Sequence, residues 1–434
     1  MICAILYIKV VIMFVKRRNY ILIFFLLTLF CTKNYGWVAD NRFLPEFYPH
    51  INHYRTWQTP STSYLDGLFM VGHDAFDHED EEKEVGIFDI FGSYDENKLA
   101  QAVVAIGLPD PYDQFPTLQK YRGQEILWNM ESKIQAQGAA VQFEQQLWNY
   151  LWVGGSAFFL HIYSRINFEL NPNTVRVLSI SFNDQISLDQ MRRQMNDEIG
   201  IVPTVVSKDG FSDIDLYLRL GSIWEYLYKF RKIDAGFRFG GLIPSGLMRT
   251  IQNPASIPLG GDGHWGVYIK GDLELELKED WKAGAWVRIN KRFKAYRTHR
   301  LPVVDEQQLF GVIQGKVAIN PGWTFVFAPY GRLENIRDGF GLELGYVITH
   351  HLQDCWKDAR KVPVPSVNID EIIKRTSWTS EYVMVEAFFD SARILPSYCK
   401  APIISFRWDV PIRFFAAKGA AKTNRVMLGI QLNY

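Results

Sequence analysis

Trp265-Gly266-Val267-Tyr268-Ile269-Lys270-Gly271-Asp272-Leu273-Glu274-Leu275-Glu276-Leu277 alternates without a break. Successive side chains of an extended strand point to opposite faces. Trp265, Val267, Ile269, Gly271, Leu273, Leu275 and Leu277 therefore share one face, and Tyr268, Lys270, Asp272, Glu274 and Glu276 the other. After Lys278-Glu279-Asp280 the pattern resumes, with Trp281, Ala283, Ala285, Val287, Ile289 and Phe293 set against Lys282, Arg288, Asn290, Arg292 and Lys294. This reads as a hairpin with one apolar and one ionic face.

The same grammar runs through Ile214 to Leu220 against Asp213, Asp215, Tyr217 and Arg219, and through Ile233 to Phe239 against Lys232, Asp234 and Arg238. It returns in Phe340 to Ile348 around Glu343, in Ile404 to Val410 around Arg407 and Asp409, and in Phe158 to Phe168 around His161, Tyr163, Arg165 and Glu169. These runs are roughly 9 to 15 residues long, the length a tilted strand needs to cross a bilayer and longer than the usual soluble strand of about 5 to 6. Trp265 and Trp281 flank one hairpin, and Tyr217, Trp224, Tyr226 and Tyr228 crowd another strand end, where interfacial aromatic girdles belong.

Composition agrees. The 434 residues are 48% apolar and 15% aromatic, with 47 basic residues against 47 acidic ones. Zero formal charge argues against a nucleic-acid partner, and the apolar content argues against disorder. Residues 1–36 read as a secretory signal, with a basic knot at Lys16-Arg17-Arg18 before the apolar run Ile21 to Cys31, and Met13 is an alternative start. After residue 36 no stretch approaches the ~18 apolar residues of a transmembrane helix. Cys355 and Cys399 remain outside the signal; their pairing stays open, and no metal spacing or cofactor motif is present.

The last strand, Arg425 to Tyr434, carries apolar residues at Val426, Leu428, Ile430 and Leu432 and ends on an aromatic ring. It resembles the C-terminal assembly signal of bacterial outer-membrane β-barrel proteins. That resemblance implies an outer-membrane location, a lipid surround and recognition of this strand by the barrel-assembly machinery. Backbone physics reaches the same fold, because a chain without apolar helices spans hydrocarbon only as a closed barrel. The expected fold is all-β, a transmembrane antiparallel barrel of 12 to 14 strands with short helical inserts. Thirteen strands are expected, at 63–76, 132–146, 149–169, 212–222, 228–243, 264–277, 281–296, 309–319, 323–333, 339–350, 381–390, 402–415 and 424–434. Bacterial barrels take even numbers, which favours fourteen and places the discrepancy between 320 and 400. With thirteen, the short turns near 147, 225, 279 and 321 fall on the outer side.

Residues 37–131 form an N-terminal segment with the first strand and an insert holding Glu79 to Glu82, Gly86 to Gly92 and a helix over Asn97 to Ile106; it is read as a lumen plug or as the home of a missing strand. Residues 132–434 form the barrel. Further helices are expected at Leu188–Ile199, started by Ser187, and at Ile369–Arg375. If the apolar face meets lipid, Asp215, Arg219, Asp234, Arg238, Lys270, Asp272, Glu274, Glu276, Lys282, Arg288, Arg292, Glu343, Arg407 and Asp409 point inward. The expected function is a porin-like channel or passive transporter for small solutes, its charged wall selecting by size and charge. Three alternatives stand beside it: a plugged barrel resembling the long-chain fatty-acid transporters, a barrel-wall hydrolase built on His161 or His73, and a non-transport scaffold. No serine is assignable to either histidine by spacing, so an enzyme is not expected. The acidic run Asp77 to Glu84 reads as a solvated loop rather than a calcium site, and the oligomeric state is left open.

Overall fold

The structure, a computed structural model, describes residues 41–44, 61–80, 83–202, 204–226, 228, 230–394 and 401–433. The signal segment 1–36, Met13, Cys399 and Tyr434 lie outside the described residues. Twelve long strands form the barrel: β1 Ser61–Phe76, β2 Leu127–Trp148, β3 Leu151–Leu170, β4 Ile214–Glu225, β5 Lys232–Ile243, β6 Gly266–Lys278, β7 Trp281–Arg292, β8 Trp323–Arg337, β9 Phe340–His351, β10 Trp378–Asp390, β11 Ile403–Pro411 and β12 Ala421–Asn433. Each pairs antiparallel with its sequence neighbour in this series, and β1 also pairs with β12 from Thr62↔Asn433 to Ala75↔Ala421, so the sheet closes. Every barrel strand is paired on both sides, as a hydrocarbon surround demands. Among the described residues no helix is long and apolar enough to cross a membrane.

The count is twelve, not thirteen or fourteen. The run expected as a barrel strand at 309–319 is Ile313–Asn320, which pairs with Ala295–Leu301 and Cys355–Asp358 in a separate three-stranded sheet. Its alternation serves a small core of Leu301, Val317, Ile319, Trp356 and Ile372; period two reports a two-faced strand, whatever covers the faces. Removing it also moves the turns near 147, 225 and 279 to the inner end, while the turn near 321 stays on the outer side. The turns after β2, β4, β6 and β8 are now at the same end as the terminus of β12, and 77–126, 171–213, 244–265, 293–322 and 352–377 all emerge at the other. By the rule that periplasmic turns are short, the first end is the inner one.

Leu216, Leu218, Phe237, Ile269, Leu273, Val287, Phe327, Leu344, Phe406 and Leu428 are exposed on the outer wall, the surface that lipid covers. Ile430 and Leu432 continue that face on β12 beside Val426. Exposed Trp148, Tyr150, Trp224, Tyr226, Tyr228 and Trp281 ring the inner end, and Trp265, Phe293, Trp323, Phe414 and Phe415 the outer end. Tyr217 departs from the girdle: it sits on the inward phase of β4, 4% exposed.

The outer halves of β2 and β3 invert the polarity of the wall. Phe158, Leu160, Ile162 and Ile166 are buried inward with Met130, Ile134 and Ala136, while His161, Tyr163 and Arg165 point out. The apolar run from Phe158 to Phe168 therefore faces protein, not lipid. It is covered by the 84–126 segment, which contributes Ile87, Phe88, Ile90, Leu99, Val103, Leu118 and Ile126 to one continuous core. That segment hides no barrel strand: its only extended pieces are Glu84–Gly86 on β1 and Tyr94–Asp95 on β2. Its helix α1, Glu96–Ala105, starts where Asp95 accepts a hydrogen bond from the Asn97 N–H.

The second insert carries α2, Pro172–Leu178, and α3, Phe182–Glu198. Helix α3 starts six residues before the expected Ser187, because Ser181 caps it and Ser187 instead donates to the Asn183 carbonyl inside it. Leu188, Met191 and Met195 of α3 join the plug core. Helix α4, Ile369–Lys374, is capped by Asn368.

Candidate functional site

All fourteen charged residues expected inward lie on the inward phase of their strands, most of them buried. They form a lattice. Arg219 on β4 reaches Asp234 on β5 at 2.9 Å and Asp272 on β6 at 2.7 Å, with none of its side chain exposed. Its guanidinium lies over Gly221 and Gly236; a Cβ at Gly236 would stand 2.7 Å from it, so the glycine makes room for the hub. Arg238 stands 3.6 Å from Glu144 of β2 and 3.9 Å from Asp272.

A second cluster follows around the wall. Lys282 lies 2.7 Å from Glu334 and 3.5 Å from Glu274, and Arg332 lies 2.6 Å from Glu343. Arg393, just after β10, bonds Glu334 at 2.7 Å and Asp280 at 2.6 Å, tying this cluster to the inner-end turns. Arg407 bonds Asp409 at 2.7 Å, and Arg425 approaches the same carboxylate at 3.5 Å. Arg292 holds Asp213 at 2.7 Å, and Glu276 meets Arg231 at 3.5 Å beside a turn.

Aromatic rings fill the spaces between charges. Lys270 lies 3.8 Å from the centre of Trp286, and Arg288 3.9 Å from that of Tyr268, whose hydroxyl donates to Asp215 at 2.7 Å. Cations over such faces are stabilised when desolvated. Tyr268 needs Gly240 beneath it, where a Cβ would come within 2.1 Å of the ring. That glycine is inside β5 as the seat for a tyrosine. The lattice members missing from the sequence reading are Glu144, Arg332, Glu334, Arg425 and Tyr330, whose hydroxyl donates to Glu274 at 2.9 Å. Their signal was available, since Arg332 and Glu334 alternate with Leu333 on β8.

Towards the outer ends of β1, β2 and β3 the lumen changes character. Leu68 and Met70 of β1, Ala421 and Met427 of β12, and the inward apolar residues of β2 and β3 meet the 84–126 segment, α3 and the 255–259 loop. Gln307 pins the plug by donating to the carbonyls of Phe88 and Gly92 at 3.0 and 2.7 Å. Arg300 ties the insert ends together through the carbonyls of Ile251, Gly311, Ile199 and Gly200. Buried Glu96 accepts from the Trp128 indole at 2.9 Å, and burial pushes its carboxyl up to about 8; burial likewise raises Asp89 to about 7.

A cleft of about 920 Å³ opens where β1 parts from β2, lined by His73, Asp77, Lys83, Asp89, Met130, Lys133, Arg165 and Asn167 among others. Glu79 bonds Arg375 and Glu84 bonds Lys422, while Glu81 and Glu82 lie outside the described residues. Among the described residues no three His, Cys, Asp or Glu side chains are grouped to hold a metal ion. Cys355 is an exposed free thiol. His350 and His351 bond different partners, Thr379 and Asp354. His161 points outward beside Asp209 and Ser207.

No protein-family model matches this sequence, and no curated protein matches it. Solved structures do resemble it. An outer membrane channel from Pseudomonas putida F1 aligns over 86% of this chain and 96% of its own at 10% identity, with a TM-score of 0.45. The Pseudomonas putida toluene transporter TodX aligns over 92% and 97% at 11% identity, TM-score 0.31. A Pseudomonas aeruginosa FadL homologue aligns over 93% and 98% at 9% identity, TM-score 0.31. The closed register, the apolar outer wall and the aromatic rings at both rims are this chain's own, and they make it an outer-membrane β-barrel protein.

Proposed function

We propose that this barrel is a closed, plugged transporter that captures small apolar molecules at its outer end, rather than an open porin for ions and polar solutes. The plug core carries the proposal. An aqueous pore needs a polar wall along its whole length, whereas the outer half of this lumen is lined by Met70, Met130, Ile134, Leu160 and Ile162. Inward of that apolar core most of the buried ion pairs form a layer whose charges are matched to one another. Passage then requires the plug to shift and the ionic layer to rearrange, two barriers in series. Assembly through Val426, Leu428, Ile430, Leu432 and Tyr434 belongs to the same proposal, with the final strand offered to the assembly machinery.

The test pairs two measurements. Refolded protein in a planar bilayer, verified as folded by a heat-dependent gel shift, should be electrically silent. Cells expressing it in the outer membrane should take up the apolar fluorophore N-phenylnaphthylamine several-fold faster than controls. Stable conductance steps from the unaltered protein would restore the porin reading, with Glu274→Lys and Glu276→Lys together shifting selectivity towards anions. Silence without faster uptake would leave a scaffold.

A further inference from the structure

The outward face of β3 carries a constellation that transport does not use. Residues Val205–Phe211, in the second insert, pair antiparallel with β3 in the register His161↔Asp209 and Tyr163↔Ser207. His161 Nδ1 lies 2.7 Å from Asp209 Oδ1, and its Nε2 lies 3.4 Å from Ser207 Oγ. A carboxylate on Nδ1 holds the proton there and leaves Nε2 as the acceptor facing the hydroxyl. Nucleophile, base and orienter thus stand in sequence, and unliganded sites often hold the nucleophile–base contact long.

Position suggests the substrate. One step towards the lipid-covered wall, Phe159 and Phe211 pack edge to face at 4.9 Å. One step away from the wall is Tyr163, and beyond it Arg165 stands opposite Lys133, at the edge of the polar cleft. His161 to Arg165 is about 13 Å along the strand before tilt, at ~3.3 Å per residue, and the long arginine side chain shortens that gap. Apolar rings, then a nucleophile, then cations is the order in which a membrane lipid presents its acyl chain, its ester and its anionic headgroup. The side chains of His161 and Asp209 are 37% and 64% exposed, so the site is open from outside.

We infer that Ser207, His161 and Asp209 hydrolyse acyl esters of anionic lipids at the outer membrane boundary. Ser207 Oγ attacks the ester carbonyl carbon as His161 Nε2 takes the hydroxyl proton. The tetrahedral adduct collapses, breaking the C–O bond to the alcohol, which leaves with the proton from Nε2, and the acyl group stays on Ser207. Water then attacks the acyl carbon, giving one proton to Nε2. That proton returns to Ser207 Oγ as the acid leaves, so one water is consumed and a fatty acid and a lysolipid are released. Asp209 acts as a positioning residue.

The experiment uses the full folded barrel in detergent micelles, its fold checked by the heat-dependent gel shift. An alkyl fluorophosphonate should form a single adduct, mapped by mass spectrometry to Ser207 and absent from Ser207→Ala. Hydrolysis of 4-methylumbelliferyl octanoate should fall by about 10³-fold or more in Ser207→Ala and His161→Phe. Asp209→Asn should lose activity and Asp209→Glu recover part of it, a rescue that a merely structural role would not show. In mixed micelles, Arg165→Gln should raise KM for phosphatidylglycerol several-fold and for the zwitterionic phosphatidylcholine much less. No adduct on the unaltered protein, or equal labelling and turnover in folded Ser207→Ala, would overturn the assignment. An unchanged KM for Arg165→Gln would overturn the anionic-lipid part. None of these outcomes bears on the transport proposal, which concerns the lumen.

Discussion

The inner and outer halves of this lumen are both filled, by opposite chemistry. In the inner half, strands from β4 to β12 face one another across charges that are nearly all buried and paired, with Arg219, Lys282, Arg332 and Arg407 as hubs. In the outer half, apolar residues of β1, β2, β3 and β12 close on an apolar insert. Apolar burial is non-directional and tolerates repacking, at about 25 cal/mol per Å² removed from water. A buried ion pair is directional; losing one partner strands the other, and the cost is that of an uncompensated charge. The two halves should therefore fail differently: the lattice by collapsing the barrel's cooperativity, the plug by local release.

The largest effect is expected at the lattice hub. Arg219→Met leaves buried Asp234 and half-buried Asp272 without their guanidinium and should cost about 3–5 kcal/mol, read as a lowered urea midpoint for the whole barrel. Replacing all three with apolar residues of similar size should recover most of that loss, since the pairs contribute little net stability over a packed apolar cluster. A triple variant as weak as the single one would show that the lattice itself supplies the stability.

A plug substitution should be milder for the barrel. Leu160 is 1% exposed on the inward side of β3, and Leu160→Ala should cost about 2–4 kcal/mol through lost burial and a cavity. The expected readout is faster protease cleavage within 84–126 with an unchanged heat-dependent gel shift. Loss of the gel shift would mean that plug and wall fold as one unit, and the comparison between halves would fail.

Much of this is legible in the sequence. Period two exposed nearly every barrel strand, and the inward ionic residues follow from it directly, because a strand that crosses lipid has only one face to hide charges on. Two things are not. Alternation gives two faces without saying which meets lipid, so Phe158 to Phe168 was assigned to the wrong environment; near Phe159 both faces of β3 are apolar and the phase changes meaning. The pairing of His161 with Ser207 depends on the register of an insert 46 residues away, and spacing along the chain carries no trace of it. The surplus strand at 313–320 failed for a related reason, since a small loop-borne sheet alternates as a membrane strand does.

The smallest effect separates the halves by pH. Glu96 sits in the plug, buried and bonded by Trp128, with its carboxyl pushed up to about 8 from an ordinary 4.5. Between those values the docked plug holds a proton that the released plug does not. Docking is therefore strongest below about pH 4.5, weakens as pH rises, and stops weakening above about 8. Asp89, raised to about 7 by burial, adds the same sign over a lower window. From pH 7 to 9 Glu96 alone should cost the docked state about 1 kcal/mol. Proteolysis of 84–126 should speed up several-fold over that interval while the barrel's gel shift stays constant. Glu96→Gln, neutral at every pH and able to keep accepting from Trp128, should flatten the profile. A wild-type profile that is already flat would place the Glu96 carboxyl in contact with water and remove the plug core from around it.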